Sequence, residues 1–163
     1  MYRERWFNFL KNCATLGRVG FLPAPGTMGT LITLPVVLVL KFFIAQFFIT
    51  QHVEFFLLMI ITLLSGCIIA KVLQLLPVPR TGAESATHDP SFIVLDEMVG
   101  CLWAFYGTVI TSKKLLIGFV LFRFFDIVKP LGIDALQKLP RAWGILADDV
   151  VAGLYTALIL FFI

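Results

Sequence analysis

Residues 27–48 read TMGTLITLPVVLVLKFFIAQFF and residues 55–76 read FFLLMIITLLSGCIIAKVLQLL, with Lys41 the only charge in the first run and Lys71 the only one in the second. Each run reaches the ~20 apolar residues that a helix needs to cross the ~30 Å hydrocarbon layer of a bilayer. A backbone in hydrocarbon must satisfy its own polar groups, so runs of this kind are helical. The fold class that follows is all-α, a multi-pass transmembrane helical bundle.

Three further apolar stretches, near Met98–Thr111, Leu115–Val128 and Leu146–Ile163, bring the expected spans to about five. The third and fourth are short, which suits a re-entrant or tilted arrangement. Between the second and third lies PVPRTGAESATHDPS, residues 77–91, the one long polar, turn-rich stretch. Ahead of the first, residues 1–20 have Trp6, Phe7, Phe9 and Leu10 for an apolar surface and Arg3, Arg5 and Lys11 for anionic headgroups. They read as an interfacial amphipathic helix, with a solvated leader as the alternative. No repeat is visible, and residues 1–163 are taken as one membrane-embedded domain.

Composition agrees. The 163 residues are 60% hydrophobic and 14% charged, against roughly 45–50% and about 25% in soluble domains. A soluble globule, a disordered chain and a collagen are excluded. Cys13, Cys67 and Cys101 are odd in number and widely spaced, which argues against a disulfide framework or a Cys-x-x-Cys metal site and for packing roles. The net charge is +3, and basic residues do not interleave with aromatics as along a nucleic-acid groove, so no nucleic-acid partner is expected.

With the N-terminus in the cytoplasm, most Lys and Arg fall inside and Lys113 and Lys114 outside, which satisfies the positive-inside bias. Lys41 lies toward the outer end of the first span, where its stem can snorkel. Asp96, Glu97, Asp126, Asp134, Asp148 and Asp149 all fall at or near the cytoplasmic face, while Glu54 is outside. Carboxylates do not set topology, so this one-sidedness calls for a function. Any one acid could be a helix-dipole cap. Five converging on one edge (Asp96, Glu97, Asp126, Asp148, Asp149) would repel and raise one another's pKa unless a metal, an Arg or Lys, or a shared proton joined them.

Oxygen-only donors favour a hard cation, and Mg²⁺ suits a few carboxylates plus a phosphate group. His52 and His88 fall on opposite sides of the membrane and cannot share a zinc site; His88 reads as a loop residue, with a proton shuttle as the lesser alternative. In FRFFDIVKP, Arg123 and Asp126 are three apart on one helix face, Lys129 follows, and Pro130 ends the helix. The two cations suit either structural neutralisation of the acids or a phosphate. Asp96 and Gly100, Asp148 and Ala152, and Asp149 and Gly153 are each four apart, so a small residue one turn from each acid lets helices approach closely. In PAPGTMGT, Thr27 or Thr30 can cap the first span or touch a ligand, and Gly26 and Gly29 open the backbone to one.

PGTMGT at Pro25–Thr30, DEMVG at Asp96–Gly100, RFFDIVKP at Arg123–Pro130 and DDVVAG at Asp148–Gly153, in this order on an apolar chain of this length, resemble the phosphatidylglycerophosphatase A family. The resemblance implies a Mg²⁺-dependent phosphatase of the bacterial inner membrane, with its site on the cytoplasmic side. It would take the terminal phosphate from phosphatidylglycerophosphate, leaving phosphatidylglycerol in the bilayer. It also implies that Asp96, Glu97, Asp126, Asp148 and Asp149 are the catalytic acids, a subset of them holding metal, with Arg123, Lys129, Thr27 and Thr30 toward substrate. His88 and Asp89 lie outside these four motifs. Either water or an aspartate can be the attacking group. The rival reading is a small transporter or ion-handling protein, although transporters hold their charges near the midplane between repeats.

Overall fold

The computed structural model describes residues 2–47, 50–76, 90–140 and 142–163. Among these, helices alone form regular structure: α1 (Tyr2–Ala14), a 3-10 turn (Val19–Phe21), α2 (Pro25–Gln46), α3 (Gln51–Leu75), α4 (Leu95–Ala104), α5 (Ser112–Val128), α6 (Ile133–Leu136) and α7 (Ala142–Phe161). His88, Asp89 and most of the polar 77–91 stretch lie outside the described residues.

Three helices, α2, α3 and α7, are long and apolar enough to cross a membrane. Among the described residues they account for three of the roughly five spans expected. The apolar stretch from Met98 to Thr111 is not one helix: α4 stops at Ala104, and Gly107 turns the chain with φ +64°. Ten helical residues rise about 15 Å, half the hydrocarbon thickness. α5 has 17 residues and opens on Lys113 and Lys114, with Thr111 accepting the Lys114 backbone N–H as its N-cap.

α2 begins differently from expectation. Pro25 occupies its first position, where a missing N–H costs nothing, and Ala24 is the N-cap in the left-handed region without a side-chain cap. Neither Thr27 nor Thr30 caps the helix. The Thr30 hydroxyl instead donates to the Gly26 carbonyl at 2.8 Å, one turn back.

The bundle is inside-out in the manner of a lipid-solvated protein. Val39, Phe42, Phe56, Leu64, Leu116 and Leu158 are exposed around its waist, while α4 is almost wholly buried. α4 packs on α7 more extensively than any other helix pair. The reason is glycine: a Cβ on Gly100 would stand 2.5 Å from the Asp149 carbonyl oxygen, and one on Gly153 would collide with the Gly100 carbonyl. Backbones in such contact align Asp96 on α4 with Asp149 on α7. Trp103 adds a polar tie, its indole N–H donating to Thr62 Oγ1 of α3 at 2.9 Å. Lys41 does not snorkel freely; it pairs with the buried Glu54 and closes the α2–α3 hairpin at the end away from the acids.

Gly153→Ala should therefore force α4 off α7. A loss of about 1–3 kcal/mol is expected from overpacking a close contact, read as a lowered melting temperature in detergent. An unchanged melting temperature would show that the helices are not held at backbone distance.

Candidate active site

The starts of α2 and α4 and the close of α5 meet α7 about two turns from its own start. Asp96 and Glu97 stand in the first turn of α4, Asp149 lies on α7, and one carboxylate oxygen from each falls within 4.8 Å of the others. Asp96 and Asp149 are buried. Asp126 stands close enough for its charge to act on Glu97. Carboxylates held this close repel one another unless a cation or a shared proton joins them. Burial pushes the Glu97 carboxyl above its usual range; the Asp96 hydrogen bond opposes this, the Asp126 charge adds to it, and Arg123 opposes it more weakly.

Arg123, on the last turns of α5, donates through Nη1 to Asp126 Oδ2, as their three-residue spacing anticipated. The first turn of α2 closes over the pair. A Cβ on Gly26 would collide with Glu97 Oε1 and stand 3.2 Å from Arg123 Nη1. Glu97 Oε2 and Arg123 Nε are buried with no hydrogen-bond partner among the described residues. Each such buried orphan is costly unless something polar joins it.

The neighbouring acid faces elsewhere. Asp148 pairs with Lys129 and accepts from Gln137 Nε2 at 3.0 Å, while its other oxygen accepts the Asp149 backbone N–H at 3.1 Å. Lys129 caps α5 in the left-handed region rather than continuing its face. Burial alone would lower the Lys129 pKa; the Asp148 hydrogen bond and charge, helped by Asp149 and Asp126, outweigh it and raise it. Thus Asp96, Glu97, Asp126, Asp149 and Arg123 come together, Asp148 and Lys129 form a second group beside them, Thr27 sits half-buried in the first α2 turn, and Thr30 is spent on its own helix. Gln137, in the connection after α6, belongs to no motif and had no sequence signal.

The architecture and the cluster define a class: an integral helical bundle with a buried group of acids edged by Arg and Lys at one end. The chain belongs to the phosphatidylglycerophosphatase A family, whose profile matches residues 12–163. It is 35% identical over 142 residues to a phosphatidylglycerophosphatase A of Haemophilus influenzae, covering 85% of this chain and 78% of that protein. It is 30% identical over 142 residues to the phosphatidylglycerophosphatase A of Escherichia coli, covering 85% and 73%. A Bacteroides thetaiotaomicron protein provisionally named a phosphatidylinositol-3-phosphatase is 39% identical over 77 residues, covering 45% of this chain and 48% of its own length. No solved structure matches.

Crowded acids should cost stability when no cation is bound. Glu97→Gln, which removes one charge without changing shape, is expected to stabilise the protein in excess chelator by about 1 kcal/mol or more, in line with the gain from replacing buried charged groups. A lower melting temperature for this variant in chelator would mean that Glu97 is satisfied as it stands.

Proposed function

We propose that the protein hydrolyses the terminal phosphate monoester of phosphatidylglycerophosphate, using a divalent cation, Mg²⁺ being the choice that an all-oxygen donor set favours. The observation that carries the reading is the acid trio itself, three carboxylates within 4.8 Å with an orphaned oxygen on Glu97. The donors fit such an ion: Asp96, Glu97 and Asp149 would hold it, with Asp126 alongside. Bound there, a divalent cation supplies charge neutralisation to the carboxylates and to the phosphoryl oxygens.

The remaining chemistry belongs to side chains. Arg123 is held by Asp126 and Lys129 by Asp148, so both cations are preset before substrate arrives, and together they orient the phosphoryl oxygens. A carboxylate of the trio takes the proton of an attacking water as the new P–O bond forms. The ester P–O bond breaks, and the departing glycerol oxygen takes up the proton that the carboxylate removed from the water. The glycine at position 26 leaves room for this arrangement, since a methyl group there would push Glu97 aside.

Family membership and the apolar belt support a place in the inner membrane of a bacterium. Positive-inside bias supports a cytoplasmic site, because Arg18, Lys71 and Lys138 belong with the acids and Lys113 and Lys114 with the far end.

Phosphate release from phosphatidylglycerophosphate in reconstituted vesicles tests the reading. Mg²⁺ should be required. Asp149→Asn should reduce turnover at least ~100-fold, about 2.7 kcal/mol at the transition state, and Gly26→Ala should reduce it while leaving the melting temperature near wild type. Full activity in chelator, or near-normal turnover by Asp149→Asn, contradicts it.

A further inference from the structure

The two adjacent acids of α7 look in different directions, and only one faces the trio. We propose that Asp148 is not a metal ligand but a positioning residue that, together with Gln137, sets Lys129 for the substrate phosphate; the proposal rests on the phosphatase reading above.

Asp148 is occupied on both oxygens. Oδ1 takes the Asp149 N–H, and Oδ2 takes the Gln137 amide and the Lys129 ammonium. Its oxygens are absent from the group that falls within 4.8 Å. A carboxylate only accepts hydrogen bonds, so the Gln137 amide must turn its NH₂ toward Asp148, and the choice of orientation is fixed. Gln137 is otherwise exposed, with no buried face to explain it.

The backbone agrees. Lys129 (φ +49°), Leu131 (φ +59°) and Gly132 (φ +85°) all lie in the left-handed region, and two of them carry side chains that disfavour it. Such a turn persists where its surroundings hold it, and the grip of Asp148 on the Lys129 ammonium is a tie of that kind. The turn takes Lys129 off the face of α5 and aims it at α7. An ammonium has three N–H donors and Asp148 takes one, so two remain for phosphate oxygens.

Two measurements on the full-length protein decide the matter. Mn²⁺ binding, followed by electron paramagnetic resonance in detergent, should weaken at least ~10-fold in Asp149→Asn and stay within about 2-fold of wild type in Asp148→Asn and Gln137→Leu, since Asp148 meets Asp149 through its backbone N–H and orients no carboxylate of the trio. In kinetics, Gln137→Leu should raise KM about 10-fold with kcat little changed, the mark of a lost substrate contact. Lys129→Met should behave alike, and the double variant should be no worse than Lys129→Met alone, because both changes remove one interaction. Equal loss of Mn²⁺ affinity in Asp148→Asn and Asp149→Asn overturns the proposal, as do losses that multiply in the double variant. Gln137 is on the surface, so its variant carries the test if Asp148→Asn fails to fold. A wild-type protein that binds Mn²⁺ but releases no phosphate would sink the phosphatase reading, and the Mn²⁺ comparison would still judge the role of Asp148.

Discussion

The contact between the backbones of α4 and α7 is what the rest of the molecule depends on. Gly100 and Gly153 leave no side chain between the two helices, and each presses on a main-chain carbonyl of the other. In hydrocarbon, where burial of apolar surface gives little drive to helix association, such close packing is a principal source of it. The same contact brings the start of α4 level with the acids of α7. Fold and site are therefore one problem: whatever separates the helices also separates Asp96 and Glu97 from Asp149.

That placement is expensive. Carboxylates brought within 4.8 Å in a protein surrounded by lipid repel strongly, and replacing a buried charge is often stabilising. The chain offsets the cost in two ways. Arg123 and Lys129 bring positive charge to the rim, each clasped by its own aspartate. In the trio, Glu97 keeps one buried oxygen with no hydrogen-bond partner among the described residues, an arrangement that suits a group reserved for a cation. Stability and chemistry thus compete at Glu97 and Asp149, while at Gly153 they coincide.

Much of this was legible in the sequence, for identifiable reasons. Runs of apolar residues with one charge have no solution but a membrane helix, so α2 and α3 were readable directly. The four-residue spacing of Asp149 and Gly153 announced a close approach, and it occurred. In the stretch 98–111 the shortness was readable but the stop was not, because hydropathy does not record where a helix ends and Gly107 in an apolar context gives little warning of a turn. Successive helical residues point about 100° apart, so adjacent acids need not share partners: Asp148 turns to Lys129 and Gln137, whereas Asp149 turns to Asp96 and Glu97. Pro130 held a clue to the unusual course of Lys129, because the residue before a proline is biased away from helical conformation. Gln137 was invisible: its role comes from where the α5–α7 connection folds back, which no local pattern encodes.

The central claim is that the buried trio is a cation site. An anomalous difference map from crystals grown in lipid and soaked with Mn²⁺ tests it most directly. The account expects one strong peak among the carboxylates of Asp96, Glu97 and Asp149, at the ~2.0–2.2 Å usual for carboxylate oxygens on small divalent ions. A map with no peak there, and the trio held instead by hydrogen bonds between protonated carboxyls, would contradict it.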